Sequence, residues 1–145
     1  MSDRDVPSLS DIQAFFEREF PHNGTVIEQL SHHASVVRHP VGTQHLRPGQ
    51  TVMGPVMMAL ADTAAYCCLL SRGIEQVQAV TSSLHISFLG RPVAHRDLLA
   101  EARPLKVGRR LAVVDVKIHS EGSTILVAHA TVTYSMPGRS RDSAS

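Results

Sequence analysis

Apolar and polar residues alternate with a period of two along the second half of the chain. The apolar positions of three such segments are Leu84, Ile86 and Phe88, then Ala112, Val114, Val116 and Ile118, then Leu126, Ala128, Ala130, Val132 and Tyr134. This period predicts antiparallel strands that are covered on one face only. Turn signals at Val107-Gly108 and Glu121-Gly122 separate the last three of about four strands.

The first half of the chain predicts two helices and two further strands. A short amphipathic helix starts at Ser8 or Ser10 and ends before Pro21, and strands follow over residues 25–30 and 34–39. A polar loop over residues 43–50 leads into a long apolar helix, with Pro55 just inside its start and residues 71–73 at its end. One sheet wrapped around this helix accommodates all the elements, and its polar face would meet water or another subunit.

Length and composition favour one soluble domain and exclude several partners. The 145 residues are 43% hydrophobic and 19% charged, with a net charge of +1. This balance gives no reason to expect nucleic acid or an anionic membrane as a partner. We expect one domain over residues 1–145, with its core over about 24–136 and disorder at 1–7 and 138–145.

Cysteine usage and the N-terminal residues predict a cytoplasmic protein. Cys67 and Cys68 are adjacent on the predicted helix, where their side chains diverge and cannot form an ordinary disulfide. The first residues are charged, so no signal peptide is expected, and the long helix is too short for a membrane span.

Asp62 stands alone in the apolar helix and is the first candidate for chemistry. Between Pro55 and Leu70 the only other polar side chains are Thr63 and Tyr66. Burying an unpaired carboxylate costs several kcal/mol, so Asp62 needs a structural partner, a shifted pKa or a chemical role. A structural Asp bonded to a neighbouring loop is one open interpretation.

The spacing of Gly54 and Asp62 supports the other interpretation, acyl transfer between two chains. An N–H at a helix start can stabilise an oxyanion, and a carboxylate can attack an acyl carbon or deprotonate water. Eight residues along one helix separate the two groups by about 12 Å, so one helix cannot present both to one carbonyl. If both act together, they come from two copies of the helix in a two-fold dimer.

Other site types have less support in the sequence. None of the nine histidines forms an H-x-H or H-x-x-x-H pair, so we expect no metal site. No G-x-S-x-G motif or glycine-rich phosphate loop is present. Hydroxyls at Thr81, Ser82 and Ser83 begin the strand after the helix and could reach a site beside it. The basic residues Arg103, Lys106, Arg109 and Arg110 flank a turn, where they are either solvated or near a phosphate-bearing ligand.

Several segments, in order from about residue 24 to 136, resemble the hotdog-fold thioesterases of the phenylacetate-degradation (PaaI-like) type. They are LADTA at 60–64, AVT at 79–81, ISFL at 86–89, DLLAEA at 97–102, GRRLAVV at 108–114 and VAHAT at 127–131. The resemblance implies an α+β hotdog fold, a curved antiparallel sheet around one long helix, in dimers and usually homotetramers. It also implies hydrolysis of an acyl-CoA thioester without metal or cofactor.

The resemblance assigns roles to individual residues. The Gly54 amide would polarise the thioester carbonyl, and Asp62 of the other subunit would be nucleophile or general base. Thr81 is a candidate to orient water or contact the ligand. The remaining substrate-binding candidates are Arg47, Met53, Pro55, Ser82, Ser83, Arg91, Arg109 and Arg110, with the arginines as contacts for coenzyme A phosphates.

This chain departs from the family pattern around the helix start. Met53 stands where the family has histidine, Pro55 where it has a second glycine, and Arg47 where many members have asparagine. Two alternatives therefore stay open. One is a non-catalytic acyl-CoA or fatty-acyl binding protein with Met53, Met57 and Met58 lining an adaptable groove. The other is an enoyl-CoA hydratase, which commonly needs a histidine with the acid; none follows Asp62 at a suitable spacing.

Overall fold

The elements follow one another in the order that the sequence predicts. The computed structural model describes residues 7–73 and 78–136. Its elements are α1 (Leu9–Glu19), β1 (Val26–Leu30), β2 (Ser35–His39), a 3-10 turn (Thr43–His45), β3 (Leu46–Arg47), β4 (Thr51–Val52), α2 (Gly54–Leu70), β5 (Val80–Phe88), β6 (Leu98–Val107), β7 (Leu111–Ser120) and β8 (Leu126–Ser135). Six strands form one sheet in the order β1-β2-β6-β7-β8-β5, and every neighbouring pair is antiparallel.

Helix α2 packs across one face of this sheet and forms the centre of the core. It contacts β2, β5, β6, β7 and β8. Leu60, Ala61, Ala64 and Leu69 are fully buried, as expected for a helix that is apolar on nearly all sides. The α+β class predicted from the sequence is therefore confirmed.

The alternation along the strands separates the core face from the polar face. On β7 the residues Ala112, Val114, Val116 and Ile118 are all fully buried, as the period predicts. Val127 is an exception, because its predicted face is polar and yet it is buried. The N–H groups of Leu89 and Gly90 donate to its carbonyl at 2.9 and 3.2 Å, so the segment after β5 lies along the start of β8.

The start of α1 is confirmed, and the loop over residues 43–50 needs a correction. Ser8 is the N-cap of α1, and its hydroxyl and the Asp11 carboxylate form a reciprocal capping box. Within 43–50 the structure has a 3-10 turn and most of the β3–β4 hairpin. Two-residue strands carry no periodic signal, so the sequence indicated only a polar loop.

Both cysteines are free and buried within α2. Burial raises the pKa of the Cys68 thiol to about 11 and moves the pKa of Cys67 still further above its ordinary value. The predicted disordered ends, residues 1–7 and 138–145, lie outside the described residues apart from Pro7. None of the helices in those residues combines the length and hydropathy that crossing a membrane requires.

Candidate active site

Asp62 lies on the one side of α2 that is not fully packed. It is half-buried, whereas Ala61 and Thr63 beside it are buried. Its carboxylate lines a cleft of about 500 Å³ between α2, the start of β5, the end of β8 and the α1 region. The desolvation cost anticipated for this residue is therefore lowered by access to the cleft.

Two hydroxyl groups hold one oxygen of the Asp62 carboxylate. The Thr81 hydroxyl donates to Oδ1 at 2.8 Å. The Tyr134 hydroxyl lies 2.5 Å from the same oxygen and 2.8 Å from the Asp62 main-chain carbonyl, which it can also donate to. Among the described residues no hydrogen bond is formed by Oδ2, so this second oxygen is available to a molecule in the cleft.

Tyr134 is a site residue that the sequence interpretation missed. It was assigned only to the apolar face of its strand, and it is indeed 2% exposed. Burial, followed by the negative charge of Asp62, raises the pKa of its phenol far above the ordinary value of 10, so the group stays a donor at any working pH. The usable signal was that a buried tyrosine normally needs a hydrogen-bond partner.

Aromatic rings form the wall of the cleft one helical turn beyond Asp62. The Tyr66 ring lies 5.9 Å from Phe16 and 6.3 Å from Phe20, both edge to face, and stacks on Tyr134 at 6.3 Å. Burial raises the pKa of the Tyr66 phenol. The sequence predicted only a short amphipathic helix here and gave its phenylalanines no part in the site.

Gly54 lies at the other end of α2 and does not line this cleft. It is the first residue of the helix, and its N-cap, Met53, makes no side-chain cap. A Cβ built on Gly54 would lie 3.2 Å from Cζ of Phe88, so this helix start packs against the end of β5. Within one protomer Gly54 and Asp62 are thus presented at different places, as the helix geometry predicts.

The hydroxyl-bearing residues at the start of β5 are divided by a register shift. Thr81 pairs with Tyr134 and Ser83 with Thr133, so the ladder is irregular between them. Thr81 faces Asp62, whereas Ser82 is exposed and donates to the Thr133 carbonyl at 3.2 Å. Neither Ser82 nor Ser83 lines the cleft.

The other candidate binding residues lie outside the cleft of a single protomer. Arg47 on β3, Arg91 in the loop after β5, and Arg109 and Arg110 in the β6–β7 turn are all exposed. Met53 and Pro55 flank the start of α2. Met57 is buried in the core while Met58 is 41% exposed, so the proposed methionine groove does not form as one surface.

Histidine and acidic groups do not gather into a metal site in the part of the chain that the structure describes. His129 Nε2 and Asp115 Oδ1 form a hydrogen bond of 2.5 Å on the polar face of the sheet. His39 and His45 pack edge to face at 4.6 Å, and burial lowers the pKa of His45.

Comparison with known proteins gives consistent matches. A model of the thioesterase superfamily matches residues 49–127, more than half of the chain. A candidate thioesterase of Silicibacter sp. is 40% identical with a TM-score of 0.83, covering 90% of this chain and 92% of its own. The Escherichia coli PaaI protein of the phenylacetic acid degradation operon is 27% identical with a TM-score of 0.73, covering 86% and 93%.

A more distant structure supports the fold alone. The Streptococcus mutans protein smu.793, solved bound to acetyl-CoA, is 24% identical with a TM-score of 0.68, covering 77% of this chain and 87% of its own. A search of curated protein sequences finds no match. Together, the family and structural matches confirm the hotdog fold and the PaaI-like resemblance predicted from the sequence.

Proposed function

Since this chain belongs to the thioesterase superfamily, we propose that it hydrolyses the thioester bond of an acyl-coenzyme A. Asp62 is the nucleophile or the general base, and the Gly54 N–H of a second protomer stabilises the oxyanion. The observation that carries the proposal is the state of the Asp62 carboxylate. One oxygen is fixed by Thr81 and Tyr134, the other forms no hydrogen bond with the described residues, and Asp62 lines a cleft large enough for an acyl group.

The chemistry needs only this carboxylate, the amide and water. In one route Oδ2 attacks the thioester carbon, the carbon–sulfur bond breaks to release coenzyme A, and water then hydrolyses the acyl-aspartyl anhydride. In the other, Asp62 removes a proton from water, and the resulting hydroxide attacks the same carbon. Both routes yield a carboxylic acid and a free thiol. Holding Oδ1 with two donors keeps Oδ2 in one orientation, which favours either attack.

A second protomer is the proposed source of the oxyanion donor, and β5 is the strand where it would pair. β5 is an edge strand of the six-stranded sheet, and Val80 and Phe88 at its two ends are 64% and 51% exposed. Asp62 is bonded to Thr81 near the start of β5, and Gly54 packs against Phe88 at its end. Antiparallel two-fold pairing of β5 with a second copy would place the start of one strand beside the end of the other. Such pairing would bring Asp62 of one protomer close to the start of α2 in the other.

Coenzyme A is proposed as the carrier because of the family and the exposed arginines. The acetyl-CoA complex of the S. mutans protein is a precedent on the same fold. Arg47, Arg91, Arg109 and Arg110 are exposed and suit phosphate contacts at the mouth of a dimer site. The direct test is release of free thiol from a panel of acyl-CoAs, followed with a thiol reagent. The absence of turnover on every member would refute the proposal.

Replacing Tyr134 with phenylalanine tests how Asp62 is held. The variant should fold, because the ring stays and only one hydroxyl is removed. We expect kcat to fall about 10-fold or more, the scale of one hydrogen bond to a charged group. Steady-state kinetics would measure kcat, and circular dichroism would verify the fold.

Thr133→Val is the matched control for this experiment. Thr133 precedes Tyr134 on β8 and is half-buried on the opposite face, outside the cleft. Its substitution also removes one hydroxyl from the strand, and turnover should stay at the wild-type level. A Tyr134→Phe variant with the kcat of the wild type would show that the phenol does not position Asp62.

A further inference from the structure

The aromatic wall of the cleft is supplied largely from outside the hotdog core, by α1 and the residue that ends it. Phe16 on α1 and Phe20 at its C-cap line the same cleft as Asp62. From the structure we infer that Phe20, backed by Phe16, closes the acyl end of the cleft and sets the length of the acyl group. This inference rests on the proposed thioesterase function and names the part of the substrate that the site selects.

The position of the wall relative to Asp62 defines a short binding path. Tyr66 follows Asp62 by one turn of α2, about 6 Å along the helix axis. Phe16 and Phe20 both pack on the Tyr66 ring, so these three rings form one continuous part of the cleft lining. On the other side of Asp62 the cleft is lined by Ala59, whose side chain leaves room. An acyl group with its carbonyl at Asp62 therefore extends from an open side toward an aromatic end.

The wall is anchored to the rest of the molecule. Gln13 on α1 accepts a hydrogen bond from the Ile27 N–H of β1 at 2.9 Å. Asn23, just after the helix, donates to the Thr63 hydroxyl of α2 at 3.1 Å. Phe16 is buried between these attachments. A fixed wall selects by size, because it cannot move aside for a longer chain.

Phe20 is the wall residue whose size sets the longest acyl group that fits. It is 43% exposed, so its ring stands at the rim of the cleft rather than in the core. This end of the cleft is lined by aromatic rings together with the uncharged side chains of Asn23 and Thr63, which bond to each other. The site therefore suits a compact apolar acyl group that packs against the edge of Phe20 and Tyr66, and it obstructs long straight fatty-acyl chains.

The test measures kcat/KM over straight-chain acyl-CoAs from acetyl to dodecanoyl for the wild type, Phe20→Ala and Phe20→Trp. We expect Phe20→Ala to raise kcat/KM for the first rejected chain length about 10-fold relative to the best wild-type substrate, since one methylene in a pocket carries at least that discrimination. Phe20→Trp should shorten the longest acyl chain that the enzyme accepts. The ratio between two chain lengths cancels any general loss of activity.

Phe15→Ala is the matched control, because Phe15 belongs to the same ring cluster without lining the cleft. Its ring lies 5.9 Å from Phe16 and 6.1 Å from Phe20. The control should leave the chain-length ratio unchanged even if it loosens α1. An unchanged ratio in Phe20→Ala, or an equal shift in Phe15→Ala, would overturn the inference.

Binding measurements separate this inference from the proposed function. Dissociation constants for the same acyl-CoAs, measured by calorimetry on the same variants, report the length limit without requiring turnover. If the wild type hydrolyses the panel and the Phe20 variants show the same dependence on chain length, the inference about the wall is refuted and the proposed function stands. If the wild type hydrolyses no acyl-CoA but the longest acyl chain that is bound changes in the Phe20 variants, the thioesterase proposal is refuted and the inference about the wall is supported.

Discussion

Asp62→Asn should reduce kcat for acyl-CoA hydrolysis by about 10²- to 10⁴-fold, the usual contribution of a positioned acid–base group. Asparagine has nearly the same shape, and its amide oxygen can still accept from Thr81 and Tyr134, which both bond to Oδ1. The fold should therefore persist, while an uncharged amide nitrogen that cannot act as a base replaces Oδ2. Steady-state kinetics on the best substrate of the panel would measure the loss, and circular dichroism would verify the fold.

Asp115→Asn is the control for this change. Asp115 is also half-buried and also hydrogen-bonded, but its partner is His129 on the polar face of the sheet, away from the cleft. Its substitution should leave kcat near the wild-type value. Equal turnover by Asp62→Asn and the wild type would remove Asp62 from the mechanism and return it to the structural interpretation that the sequence also allowed.

Mixing two inactive variants should restore hydrolysis if each site is built from two chains. Gly54→Pro removes the proposed oxyanion N–H, and loss of one such donor costs about 10²–10³ in kcat. Proline suits the first helical position, and Met53 before it already has the extended φ of −64° and ψ of 142° that proline favours. Pro55 after it disfavours the helical conformation at position 54, so circular dichroism must verify that this variant folds. A mixed dimer of Gly54→Pro and Asp62→Asn has one site with both native groups. Refolding the two together should give about a quarter of the wild-type rate per protomer, by two-fold symmetry.

Two comparisons make this complementation decisive. Gly54→Ala places the same Cβ 3.2 Å from Phe88 but keeps the N–H, so it should retain much more activity than Gly54→Pro. Each variant refolded alone should stay inactive. A mixture no more active than its components would show that Gly54 and Asp62 do not act across an interface.

The sequence predicted well the strands and the central helix that surround the site, because these elements depend on local periodicity. Alternation identified the strands, and an isolated charge in an apolar helix identified Asp62. Tyr134 was missed as a partner of Asp62 because the contact joins positions 72 residues apart, which no local pattern encodes. The division of Thr81 from Ser82 was missed for a related reason. It follows from a register shift on β5, and alternation alone assumes a regular ladder.

The role of α1 was also beyond the sequence. An amphipathic pattern shows that α1 has an apolar face, but it does not show whether that face meets a packed core or the rim of a cleft. That distinction depends on how α1 is attached, through Gln13 to β1 and through Asn23 to α2. Side-chain hydrogen bonds of this kind leave no periodic trace.

The bond between Tyr134 and Asp62 has a consequence for how activity is acquired. It joins the central helix to β8, the final strand of the described fold, between positions that are 72 residues apart. Closing so long a loop is entropically unfavourable until the intervening strands have assembled. During refolding from denaturant, catalytic competence should therefore emerge together with global structure, and no partially folded species should turn over substrate.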